Sequence, residues 1–145
     1  MDSVELFLTA EEEIEVVKAI QKAEFNTSGE IRVHIEKSAD FATLDRAKTV
    51  FYELNMDKTQ HKNGVLLYIA TDSRQFAIIG DEGINNIVPN NFWEEETQMI
   101  TSLFAEKKHC KALVNGIERI GKKLKTFFPH QADDTNELSD SISKG

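Results

Sequence analysis

The chain is short of the residues that staple or anchor a fold. It holds one cysteine, Cys110, and two prolines among 145 residues. A single cysteine excludes an internal disulfide and a cysteine-rich zinc site. No apolar run approaches the roughly 20 residues of a membrane-spanning helix; the longest clear one is 65–70. The N-terminus, MDSVELFLTA, lacks the basic start and apolar core of a signal peptide, so a cytoplasmic home is expected. Basic charge is scarce too: 17 Lys and Arg face 25 Asp and Glu, a net charge of −8. Nucleic acid and anionic membrane surfaces need a basic patch, so neither is an expected partner, and no membrane anchor is expected. The acidic balance leaves room for a divalent cation. The phosphate loop GxxxxGK[ST], GxGxxG, HExxH and GxSxG are all missing. His109-Cys110 opens like a cysteine-phosphatase loop, but the position that needs a phosphate-binding Arg holds Gly116. His34, His61, His109 and His130 are scattered without ligand spacing.

What is present describes one globular domain: 40% apolar and 29% charged residues. Thr9 and Glu12 form a capping-box spacing, which starts a helix running to Phe25 with Ile14, Val16, Val17, Ile20 and Ala23 inward. Ile31, Val33 and Ile35 alternate with Arg32, His34 and Glu36, a strand with one polar face. A helix over 42–55 should bury Leu44, Ala47, Phe51 and Leu54. Val65 to Ala70 is continuously apolar, so it should be a central strand covered on both faces. Thr71 to Arg74 reads as a tight turn, and Phe76 to Ile79 as the returning strand. Two helices follow, one capped by Asn90 or Asn91 and running to Lys107, the other from Lys108 to Phe127. Gly116 and Gly121 in the latter suggest close packing. The last sixteen residues read as a loosely held acidic tail.

A strand–helix–strand unit implies a parallel pair, and the short turn makes the third strand antiparallel. The fold class is therefore α/β: a three-layer α/β/α sandwich on a small mixed sheet, without a dinucleotide loop. The end of strand three then shares an edge with the starts of strands one and two. Glu30, Asn63, Asp81, Glu82 and Asn85 line that edge, and hard cations such as Ca²⁺ and Mg²⁺ want such oxygens. Asp81 and Asn85 also suit a plain loop-to-helix start. The opposite edge offers Asp40, Asp45, Asp72 and Arg74 as a rival. Asp133, Asp134 and Glu137 in the tail could fold back over an acidic site.

Three stretches carry a family resemblance: Thr27-Ser28-Gly29-Glu30-Ile31-Arg32-Val33, Asn63-Gly64-Val65-Leu66-Leu67-Tyr68 and Ile78-Ile79-Gly80-Asp81-Glu82-Gly83-Ile84, with Asn136-Glu137-Leu138 beyond. In this order the chain resembles the TPM domain family in its stand-alone bacterial form. The resemblance implies a TPM domain over 1–128 and a polar acidic tail over 129–145. It also implies a Rossmann-like sandwich, calcium binding in some members and acid phosphatase activity in plant relatives. The chain departs from the family pattern after Gly83: Ile84-Asn85 stands where many members carry Leu-Glu, so a neutral oxygen donor replaces a carboxylate.

Two functions are expected from this. One is a divalent-metal-dependent phosphoric-monoester hydrolase acting on a small or protein-borne phosphomonoester. Its Ca²⁺ or Mg²⁺ is held by Glu30, Asp81, Glu82 and Asn85, with Asp81 and Glu30 as catalytic carboxylates. Against it, only four Arg are available to bind phosphate. The other is a calcium-binding accessory module with a protein partner and no catalysis.

Overall fold

The computed structural model describes residues 2–38, 42–130 and 136–145. The elements in order are α1 (Ser3–Leu6), α2 (Ala10–Phe25), β1 (Glu30–Glu36), α3 (Thr43–Glu53), a 3-10 turn (Met56–Lys58), β2 (Gly64–Ala70), β3 (Gln75–Gly80), α4 (Glu82–Asn85), α5 (Glu94–Ala105), α6 (His109–Phe127) and β4 (Ser143–Lys144). The sheet order is β3-β2-β1-β4. Strands β1 and β2 are parallel, β3 returns antiparallel to β2, and β4 adds parallel to β1.

Burial of β2 explains the layering. All seven of its residues are buried, including Leu67 and Ile69, which point opposite ways from Leu66 and Tyr68. Each large apolar side chain there contributes about 1.5–3 kcal/mol, and only cover on both faces collects it. Val65, Leu67 and Ile69 pack in one core with Ile31, Val33, Ile35 and the buried residues of α2, α5 and α6. Leu66, Tyr68 and Ala70 pack with Ala47, Val50 and Phe51 of α3 and with Met56. The expected three-layer α/β/α sandwich is present. Among the described residues, no helix is long and apolar enough to cross a membrane.

The capping box forms as read: Thr9 Oγ1 accepts from Glu12 N at 3.1 Å, and the Glu12 carboxylate accepts from Thr9 N at 2.9 Å. The buried stripe of α2 is rotated from the expected one. Val16, Ala19, Ile20 and Ala23 face inward, whereas Ile14 is 55% exposed. Small Ala19 and Ala23 let α6 come close, and this contact outweighs the larger aliphatic at Ile14. Leu44 is likewise 57% exposed, because α3 buries Ala47, Val50 and Phe51 instead. Helix α5 starts later than expected: Pro89 O and Asn91 O accept from Phe92 N and Glu94 N, a turn that delays the helix to Glu94.

The tail departs furthest from expectation. Its described part, 136–145, is not loosely held: it returns to β1 and adds β4 with His34 opposite Ser143 and Ile35 opposite Lys144. Leu138 joins the core on the α3 side, and Ile142 packs on the opposite core.

Gly121 makes the α2–α6 contact possible. A Cβ at this position would lie 2.8 Å from Ala23 Cβ. Gly121→Ala should therefore lower stability by about 1–3 kcal/mol through overpacking, although alanine favours helix by about 1 kcal/mol. Urea unfolding measures this; a variant as stable as the wild type would show that the two helices separate without cost.

Candidate functional site

Register decides what the sheet edge can hold. Glu30 pairs with Gly64, and Asp81 N donates to Gly64 O at 2.9 Å, so Glu30, Gly64 and Asp81 share one row. The outer two are separated by two strand spacings, about 9.5 Å. Gly64 supplies no side chain between them, and Leu138 and Met56 fill that space, 3.8 and 3.6 Å from where a Cβ would stand. Glu30 thus lies on one side of this apolar plug and Asp81 on the other.

Each residue beyond the plug has a local role. Asp81 caps α4, accepting from Glu82 N at 2.8 Å. Its other oxygen, Oδ2, is buried without a hydrogen-bond partner. Burial pushes the Asp81 carboxyl up, opposed by the Glu82 N–H and the charge of Lys62. Asn85 donates its amide to Gly80 O at 2.8 Å, and both Asn85 and Glu82 are exposed. Asn63 donates to Ser28 Oγ at 3.3 Å.

Around Glu30 a different set converges: Glu24 from the last turn of α2, with Glu137 and Asp140 from the returning tail. Of these, Glu24, Glu30 and Asp140 border a cleft of about 240 Å³ lined also by Thr27, Ser28 and Asn136. Glu24 accepts from Ile31 N at 2.8 Å and shares a hydrogen bond with Asp140. Two carboxyls share a hydrogen bond only when one keeps its proton. Burial, with Asp140 beside it, pushes Glu24 up to about 10. Glu30 accepts from Leu138 N at 2.6 Å. Burial pushes it up to about 7, with the Leu138 N–H working against that and the charge of Glu137 adding to it. Asn136 donates to both oxygens of Asp140 at 3.1 Å, and Glu137 accepts from Gln60 N at 3.2 Å. Glu137 therefore does fold back over the acidic edge; Asp133 and Asp134 lie outside the described residues. Among the described residues, no three His, Cys, Asp or Glu side chains form a group able to hold a metal ion as arranged.

Sequence reading missed Glu24 and Asp140. One signal was available for Glu24: a carboxylate in the last turn of a helix opposes the helix dipole, so an uncompensated one there is out of place. Nothing local marks Asp140, because its position follows from the tail's register.

The rival edge does not assemble a site among the described residues. Asp45 and Arg74 are exposed, Asp72 accepts from Ser3 Oγ at 2.5 Å, and Asp40 lies outside the described residues. At the far end of β1, Glu36 accepts from Arg46 Nε at 2.8 Å and Nη2 at 2.9 Å, from the Tyr68 hydroxyl, and bonds His34 Nε2 at 2.9 Å. Burial alone would raise Glu36, but these donors outweigh it and hold the carboxyl at about 2. Cys110 faces Glu15 at 3.2 Å, and burial pushes its thiol up to about 12, which leaves it unreactive.

A family model described as the TPM domain matches residues 3–123. The chain belongs to the TPM domain family. Among solved structures, it is similar to the BA42 protein of the psychrophilic bacterium Bizionia argentinensis, with 48% identity, TM-score 0.92 and all of both chains covered. An N-terminal domain of a protein from P. gingivalis shares the fold at 17% identity and TM-score 0.68, over 90% of this chain and 89% of that one. So does the N-terminal domain of the cg2496 protein of Corynebacterium glutamicum, at 11% identity and TM-score 0.63, over 95% and 81%. No curated protein sequence matches the chain.

The raised carboxyls set a pH dependence. Folded Glu30 and Glu24 hold protons to about 7 and about 10, against an ordinary value of 4.5. Above 4.5 the folded state binds more protons than the unfolded one, so these groups make stability fall as pH rises. The fall runs through about 7 for Glu30 and continues beyond for Glu24. Melting temperature should decline from pH 5 to 9. Glu24→Gln keeps both hydrogen bonds without a titrating proton, so it should flatten the profile and melt higher than wild type at pH 8. A wild-type profile already flat over this range would contradict the assignment.

Proposed function

We propose that this domain binds a divalent cation, Ca²⁺ or Mg²⁺, in the cleft at Glu30 and hydrolyses phosphomonoesters there. The observation that carries the reading is the convergence of Glu24, Glu30 and Asp140 on one cleft at a buried strand end, with the charge of Glu137 nearby. Oxygen donors of this kind suit a hard cation, and such a cation relieves the repulsion that otherwise keeps protons on Glu24 and Glu30. Rotation of Glu24 and Asp140 out of their shared hydrogen bond would complete the donor set with Glu30. The name of the matching family model includes the word phosphatase, which supports the choice of reaction. A bound divalent cation supplies neutralisation of phosphoryl charge and acidifies water. With Glu30 holding the cation, a neighbouring carboxylate freed of its proton serves as the general base. Asp81, with one buried oxygen unpartnered, is the alternative anchor across the Leu138 plug.

A second reading, a calcium-binding accessory module without catalysis, is favoured by one observation: among the described residues, no Lys or Arg lines the cleft. Hydrolysis of p-nitrophenyl phosphate, after chelation and then with added Mg²⁺ or Ca²⁺, separates the two. Turnover should vanish with chelator and return with cation. Glu30→Gln should lower it more than tenfold, and Asp81→Asn by less. The reverse ranking would move the cation to the Asp81 side. Calcium binding by calorimetry without turnover would leave the accessory module, and absence of binding would sink both readings.

A further inference from the structure

Of the four arginines, two are committed to carboxylates. Arg46 bonds Glu36 and Glu53, and Arg119 bonds Glu95 and Glu96. Arg74 stands exposed on the β2–β3 turn. Arg32 differs from all three. It is part-buried on β1, its Nε is buried without a hydrogen-bond partner, and it makes no ion pair among the described residues. Burial holds its pKa below the ordinary value. In a chain of net charge −8 with 25 acidic residues, a part-buried guanidinium whose Nε has no acceptor among the described residues is a donor left open to an anion.

Its place in the fold says what the missing partner is. Arg32 is two residues beyond Glu30 on one strand, so both project on the same face about 6.5 Å apart. The tail passes between fixed points on either side of it: Leu138 N on Glu30 and Ser143 Oγ on His34 Nδ1 at 2.9 Å. Continuing the β4 register back from His34 and Ser143 brings Ser141 level with Arg32. Ser141 is exposed and shares a hydrogen bond with Ser139 at 2.6 Å.

We propose that Arg32 is an oxyanion-binding residue, whose guanidinium receives the phosphoryl group of the substrate while the carboxyls around Glu30 hold the cation. The assignment of that oxyanion to a substrate rests on the function proposed above; the anion site itself does not. The planar fork matches two phosphate oxygens at once, which a lysine ammonium cannot reproduce. Arg32 is not among the residues that line the cleft; it brings positive charge to β1 two residues beyond Glu30.

Calorimetric titration of inorganic phosphate into wild type, Arg32→Gln and Arg32→Lys, with and without Mg²⁺, tests this. Wild type should bind phosphate, Arg32→Gln at least tenfold more weakly, and Arg32→Lys in between. With p-nitrophenyl phosphate, Arg32→Gln should raise KM at least tenfold with kcat nearly unchanged. Calcium affinity, titrated separately, should stay within twofold of wild type in both variants. Phosphate binding equal in wild type and Arg32→Gln, or no binding by wild type at millimolar phosphate, overturns the proposal. Loss of turnover and cation binding in the wild type, with Arg32-dependent phosphate binding intact, overturns only the proposed hydrolysis. Should Arg32→Gln fail to fold, Arg32→Lys decides: phosphate affinity equal to wild type overturns the proposal.

Discussion

One face of an interior strand carries four polar residues in succession, and most of the architecture answers to them. Glu30, Arg32, His34 and Glu36 alternate along β1, and Glu30, His34 and Glu36 are only 4–5% exposed. A buried polar group left unpaired costs about 1–3 kcal/mol, and a charged one more. Glu30, His34 and Glu36 each recruit a partner. Arg46 reaches down from α3 to Glu36, which ties that helix to the strand. Ser143 bonds His34 and the Leu138 N–H bonds Glu30, which ties the tail across both ends of the stripe. The positions of α3 and of 136–145 follow from the need to satisfy β1 as much as from apolar burial.

The two carboxylates at the ends of the stripe show how partners decide charge. Glu36 and Glu30 are the same residue type on the same face of the same strand. At Glu36 a guanidinium, a phenol and an imidazole supply donors, and the carboxyl is held at about 2. At Glu30 the backbone N–H groups of Leu138 and Glu137 are set against burial and the charges of Glu137 and Asp140, and the carboxyl rises to about 7. Burial acts in one direction at both ends; the donor inventory reverses the outcome at one. The Glu36 end is a closed network with structural work to do. The Glu30 end has carboxyls in excess of donors, and that imbalance is what a cation or a substrate can exploit.

How much of this was legible in the sequence depends on the range of the interaction. The capping box at Thr9 and Glu12, the buried run of β2 and the turn at Thr71–Arg74 are local, and each was readable from spacing alone. The edge topology was readable too, since parallel and antiparallel pairing place Glu30 and Asp81 on one row. Two features were not. The stripe of α2 turns on Gly121 meeting Ala23, a contact nearly a hundred positions apart in the chain. The plug over Gly64 comes from Leu138, in a tail whose polar composition gives no hint of a docked apolar side chain. Without that plug Glu30 and Asp81 look like partners; with it, Glu24 and Asp140 are the nearer company of Glu30.

The tail also divides what the family match can carry. The match ends at residue 123, so Glu24, Glu30, Arg32 and Asp81 lie inside it, and Leu138, Asp140 and Ser143 lie outside. The matched part is a rigid sheet edge that presents carboxyls. The part beyond it adjusts their state: burial raises both carboxyls, the Leu138 N–H lowers Glu30, and Asp140 beside Glu24 raises it further. A domain with the same matched region and a different return segment would keep the scaffold and change the charge of the cleft. The protonation of the carboxyls at the start of β1 is thus set first by burial and then adjusted by the segment laid against them.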